Sequence, residues 1–177
     1  MYGTVEQLRA YLALTSHDDD ALLELLLNAA TSFIERYTRR RFRAVSETHW
    51  LTDGFAISDQ ELMLDDDLQE LTGITDGSGA AVELSEVRLI PPRPPYTVLF
   101  REDGWVYPVS VTGQWGWSSE PPEDITAAAV RLAAYWYRLR DAQVFDVTAM
   151  PDQGVLTVPK GLPIDVKVVL DQYRRAG

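Results

Sequence analysis

The sequence predicts an α+β protein: a mainly α-helical bundle of about four helices, two of them long, carrying an inserted small antiparallel β region. Three observations predict it. Apolar residues recur at helical spacing in both end regions of the chain. Between them, short runs rich in β-branched and aromatic residues are broken by Gly, Asp and Pro. A length of 177 residues fits one domain that can bury a substantial core. The expected organisation is a single domain over residues 1–177, helical at 1–42 and 119–177, with the β-rich insertion at about 43–118.

Thr4-Val5-Glu6-Gln7 is a capping-box pattern, and Val5, Leu8, Tyr11 and Leu12 follow at helical spacing to about Leu14. Asp18, Asp19 and Asp20 then mark a second helix start, where carboxylates accept bonds from free N–H groups and suit the positive end of the dipole. That helix runs from about Asp19 to Arg40, about 33 Å at the usual rise per residue. Leu22, Leu26, Ala29, Ala30, Phe33, Ile34 and Tyr37 share one face, and Leu23, Leu25 and Leu27 widen the apolar arc. Such a helix is either the central core helix or one covered by a neighbouring subunit as well.

The β region contains THWL, ELML, LTGIT, AAVEL, TVLF and WVYPVSVTGQW as strand candidates. Asp76-Gly77-Ser78-Gly79 is a hairpin signal. Ile90–Tyr96 (IPPRPPY) reads as an extended connector, because four prolines remove ladder donors, with a polyproline-recognition motif as the other reading. Pro121, Pro122, Glu123 and Asp124 begin a third helix, carried to about Asp141 by Ile125, Ala128, Ala129, Leu132, Ala133, Trp136 and Leu139. A loop with Pro151, Gly154, Pro159 and Gly161 follows. Pro163 then opens a last helix, Ile164 to Arg175, with Val166, Val169, Leu170 and Tyr173 on one side.

The net charge is −11, and residues 43–120 carry −10 of it (14 acids, 4 bases). A surface of that sign repels phosphate backbones and argues against sequence-specific duplex binding. There is no cysteine, so no disulfide and no thiolate metal site is expected. The N-terminus has no secretory leader pattern, and no apolar run approaches the roughly 20 residues that span a bilayer. The expectation is a soluble, unexported protein without a membrane role.

Nothing points to catalysis. No HExxH, GxSxG, P-loop or GxGxxG occurs, and the two histidines are scattered. His17 beside three aspartates reads as a solvated cap rather than a metal site, and His49 as a strand residue. Asp65-Asp66-Asp67 lacks the ligand spacing of a calcium loop and reads as a solvated turn. No catalytic, cofactor-binding or metal residue is therefore assigned. A metal-dependent hydrolase is the remotest reading.

Trp105, Tyr107, Trp115 and Trp117 sit at near-alternating positions. They form either the core face of the sheet, a protein interface, or the stacking platform of a carbohydrate- or peptide-binding module based on Trp105, Trp115 and Trp117. Tyr37–Phe42 (YTRRRF) places Arg39, Arg40 and Arg41 at a helix end, where cations complement the dipole; a protein interface and a DNA contact are the alternatives.

Three blocks carry a resemblance: VEQLRAYLAL with DDDALLELLLNAATSFIERYTRRRF, then VTGQWGWSSEPPEDITAAAVRLAAYWYRLRDA, then GLPIDVKVVLDQYRR. Their order resembles the head–tail connector (adaptor) proteins of long-tailed bacteriophages and gene transfer agents. The second block is similar to that family's strand ending in a Thr–Gly turn before a proline-marked helix. The resemblance implies a structural virion protein, not an enzyme, made in the bacterial host cytoplasm and residing at the head–tail interface. It implies a ring of copies, typically twelve, under the portal protein, which extends the DNA channel and offers a surface to a tail-completion or tail-terminator protein. Genomic DNA would pass through without sequence-specific binding. A tail-completion or neck protein of the same particle is the alternative. The candidate interface residues are Arg39, Arg40, Arg41, Ile164, Val169, Tyr173, Arg174 and Arg175, those from 164 onward lying in the segment that the resemblance assigns to portal docking.

Overall fold

The computed structural model describes residues 1–141 and 162–175 and divides the chain into two compact units. The first comprises Met1–Arg39 with Glu123–Gly177, the second Arg40–Pro122. The loop expected at Pro151–Gly161 lies outside the described residues.

The first unit is helical. Its elements are α1 (Val5–Leu12), α2 (Asp20–Thr38), α3 (Glu123–Asp141) and α4 (Ile164–Tyr173). Thr4 and Gln7 form the anticipated reciprocal capping box at the start of α1. The start of α2 departs from expectation. Asp19 is its N-cap, but its side chain makes no capping bond. Instead its carboxylate accepts from the Tyr137 hydroxyl, its largest influence, and from Arg140, and this holds it below the usual carboxylate range. Asp20 likewise accepts from His17 and Arg9.

The buried stripe of α2, Leu23, Leu27, Ala30, Thr31 and Ile34, packs with Ala128, Ala129, Leu132 and Ala133 of α3 and with Leu8 of α1 to make the unit's interior. Each fully buried leucine contributes roughly 1.5–3 kcal/mol. The alanine-rich side of α3 is thus used for close helix packing inside the unit.

The last helix buries only Val166 and Leu170 fully and adds a set of polar latches. The Tyr37 hydroxyl donates to Asp171 (2.6 Å), the Tyr173 hydroxyl to Asp124 (2.9 Å), and the Arg175 amide to the Thr38 carbonyl (2.9 Å). Arg131 pairs with Asp165.

The second unit is a five-stranded antiparallel sheet in the order β1-β5-β2-β4-β3. The strands are β1 (Val45–Leu51), β2 (Glu61–Thr75), β3 (Val87–Ile90), β4 (Tyr96–Arg101) and β5 (Val109–Trp115). Fifteen residues long and irregular in register, β2 pairs with β4 through its first half and with β5 through its second. Leu51, Leu62, Leu64, Leu68, Leu99, Val109, Val111 and Trp115 build a core belonging to this unit alone. At Gly113 a Cβ would stand 2.1 Å from the Glu70 carbonyl, so only glycine lets β2 and β5 approach there.

This corrects the expected fold class. The chain is α+β, but it is not a mainly helical bundle with a small insertion: a sheet with its own core forms the second unit. The expectation failed at Asp65–Asp67, read as a solvated turn, which lies in the middle of β2. Three other local readings are also corrected. AAVEL supplies a single bridge at Ala81 and a turn of 3-10 helix, Leu84–Glu86, rather than a strand. WVYP precedes β5 instead of belonging to it, and Thr112-Gly113 sits inside β5 rather than in a turn after it. Ile90–Tyr96 does act as a connector, joining β3 to β4.

Burial and the Asp124 carboxylate push the Tyr173 hydroxyl from its ordinary 10 up to about 12. Because the folded value is the higher one, this contribution is complete below pH 10 and is lost as the unfolded tyrosine ionises first, between pH 10 and about 12. Tyr173→Phe is therefore expected to be less stable than the parent at neutral pH, with the gap closing over that window in urea melts. A gap that stays constant to pH 12 would show that Tyr173 does not couple α4 to α3.

Candidate functional site

The basic run and the acidic run, far apart in sequence, meet in the second unit. After α2, Arg39 takes a left-handed backbone (φ 55°) as C-cap and the chain turns. Arg40 then reaches into the sheet unit, where its Nη1 lies 2.6 Å from both carboxylate oxygens of Asp67. The Asp67 side chain is fully buried and that of Arg40 is 16% exposed. The same guanidinium lies over the Trp117 ring, 4.7 Å from its centroid.

Arg41 takes the next two acids, Glu47 at 2.9 Å and Asp66 at 3.9 Å. His49 takes the third carboxylate of the triplet, Asp65, at 2.8 Å while stacking on Trp115 at 3.8 Å. Glu47, bonded foremost by Arg41 and then by His49, is held below the usual carboxylate range.

This network fastens the segment that leaves α2 to the segment that leaves β5. The Trp117 amide donates to the Arg41 carbonyl (2.8 Å), and the Ala44 amide to Ser118 (2.8 Å). Phe42 is buried against Trp117, and Arg43 pairs with Glu120. Gly116 (φ 146°) is required at this crossing, since a Cβ would come within 2.8 Å of the Ala44 amide nitrogen.

The predicted interface residues thus fall into two groups. Arg40 and Arg41 are engaged within the sheet unit, whereas Arg39 is exposed. On α4, Ile164 is 81% exposed, Val169 and Tyr173 are half-buried, and Arg174 is exposed with its guanidinium 5.9 Å from the Tyr37 ring. Arg175 is half-buried and tied through its backbone to α2. Val168, 55% exposed, extends the apolar stripe of Ile164 by one turn and was missed; the i, i+4 spacing was the available signal.

Trp115 is fully buried and Trp105 is 8% exposed, its indole N–H donating to the Gln60 carbonyl. These rings are core, not a stacking platform. The exposed tryptophan is Trp50, which the alternation of THWL places opposite His49 and Leu51. Among the described residues no group of His, Asp and Glu is arranged to hold a metal ion, and no helix is long and apolar enough to cross a membrane.

Removing the buried carboxylate strands a guanidinium in a nearly closed site, a change that typically costs about 3–5 kcal/mol. Asp67→Leu and Arg40→Met should each lower unfolding free energy, the former by that order, whereas the two combined should recover much of the loss. Urea melts of both single variants and the double variant give the coupling. Strict additivity of the two single effects would show that the pair does not act as a unit.

A profile of the head completion protein family matches residues 3–176. Among curated proteins, none matches the sequence. Solved structures of particle necks and virions share the fold. A chain from the neck of an empty gene transfer agent particle, computed with C6 symmetry, superposes with a TM-score of 0.66 at 18% identity, over 98% of this chain and 89% of that one. A chain from the virion of a native gene transfer agent particle gives 0.64 at 21% identity, over 98% and 89%. A chain from the neck of the native particle, computed with C12 symmetry, gives 0.64 at 19% identity, over 98% and 88%. The family match spans both units almost from end to end, and on that basis the chain belongs to the head completion protein family.

Proposed function

We propose that this protein is a structural connector of the particle neck, acting as a single functional domain built from both units. Copies form a ring, twelve per particle, beneath the portal protein. The ring continues the DNA channel and presents the surface on which a tail-completion or tail-terminator protein seats. The observation that carries this reading is the family match over residues 3–176, supported by the fold shared with neck chains solved under C6 and C12 symmetry. The protein works as a virion component by assembly rather than catalysis, and it is made in the host cytoplasm before incorporation.

Within that role the last helix faces the portal through Ile164, Val169, Tyr173, Arg174 and Arg175, with Arg39 adding an exposed cation. Arg40 and Arg41 serve the interface indirectly, by fixing how the chain enters the sheet unit. The sheet unit's excess of acids repels the phosphate backbone, so genomic DNA passes without being held.

Particles produced without this protein should accumulate as DNA-filled, tail-less heads that regain infectivity or transfer activity when the purified protein and tails are added. Normal tail attachment in its absence overturns the reading. Ile164→Asp, a change at an exposed position, should leave the melting curve unchanged yet reduce capture by tail-less heads at least tenfold. Undiminished capture would move the portal contact away from α4.

A further inference from the structure

The sheet order leaves β1 and β3 as its two edges, each paired on one side only. An unpaired edge offers a row of N–H and C=O groups to another strand, and soluble proteins usually blunt such edges with proline, lysine or a bulge. Only β3 is blunted, being four residues long and followed by IPPRPP. By contrast β1 has seven residues, no proline, no lysine and an unbroken register with β5. It also carries Trp50 at 67% exposure and the exposed Val45. A tryptophan left in solvent on an open edge has the character of an interface anchor.

The two edges complement each other. Residues 45–53 hold two acids, Glu47 and Asp53, and no Lys or Arg; residues 87–95 hold two arginines, Arg88 and Arg93, and no acid. Their faces also match. Each strand of the sheet is antiparallel to its neighbour, so β1 and β3 run the same way, and the small rotation between ring neighbours pairs them parallel. Setting Trp50 beside Arg88 then sets Leu51 beside Leu89, His49 beside Val87 and Thr52 beside Ile90. Leu51 belongs to the sheet core and Leu89 packs against it, so apolar meets apolar at that pair. On the other face Trp50 comes beside Arg88, which already lies over the Phe100 ring (4.3 Å), extending a cation–aromatic stack. A one-residue slip would break both matches.

We propose that β1 of one copy adds to β3 of the next, joining the sheet units of neighbouring subunits by strand pairing. The contact is heterologous, using two different patches of each chain, as a closed ring requires. The proposal rests on the ring reading above and goes beyond it by naming the joint.

The absence of cysteine makes the test clean. Thr52→Cys and Ile90→Cys, placed together in one chain and incorporated into particles, should yield on oxidation a ladder of covalent multimers on non-reducing gels. Either substitution alone should yield only monomer. Rings seen in the purified necks by electron microscopy but giving no ladder would overturn the strand pairing while leaving the ring intact. Necks of the unmodified protein without rings would overturn the ring reading and the pairing with it. As a second measure, Trp50→Ala should keep the monomer's melting temperature and cut incorporation into particles at least tenfold; undiminished incorporation counts against the joint.

Discussion

The sheet unit depends on one charge pair. Asp67 lies in the middle of a fifteen-residue strand, fully buried, between the core residues Leu64 and Leu68. A carboxylate there is tolerable only if a cation is delivered to it, because leaving it uncompensated would cost several kcal/mol. Arg40 delivers that cation, and it does so because α2 ends two residues earlier and Arg39 turns the chain. With the charge met, β2 runs unbroken and can serve two partners, β4 along its first half and β5 along its second. Without it, the acidic triplet would favour a solvated turn and the sheet would divide there.

That dependence also explains what the sequence disclosed. The helices were legible because their signals are local: a capping box at Thr4–Gln7, apolar spacing along α2 and α3, acids at the start of α3. Their ends shifted by a residue or two where side chains found tertiary partners, as Asp19 did with Tyr137. The sheet was legible only in part, since the fate of Asp65–Asp67 was decided by Arg40, Arg41 and His49, groups 16 to 27 residues away. A triplet of arginines and a triplet of aspartates in one chain was the available hint, though charge runs alone do not specify pairing. Of the site, the polar latches of α4 follow from residues whose spacing was visible, whereas the exposure of Trp50 depended on which face of β1 met the core.

The two units are stabilised differently, and the difference suits a component of an assembly. The helical unit has an interior of leucine and alanine, to which α4 is added by hydroxyl–carboxylate bonds and two buried apolar residues. Such bonds exchange readily with water or with a partner's groups, and the helix they hold also carries the exposed apolar side chains Ile164 and Val168. The sheet unit leaves Trp50, Ile57 and Val106 exposed but commits Arg40, Arg41 and Arg101 to its own acids. Its surface is consequently acidic, a property of solubility and of long-range repulsion rather than of any single contact.

The crossing of residues 41–44 with 115–118 has a consequence for descent. The sheet unit begins and ends at one place, with its incoming and outgoing segments hydrogen-bonded to each other. A module whose ends already touch imposes almost no chain-closure penalty on whatever sequence receives it. Replacing, lengthening or trimming everything between Ala44 and Gly116 would leave the spacing of the two attachment points unchanged. Among relatives, the helical elements should therefore keep their order and length, while this module is free to vary in size with the geometry of the particle that each one completes.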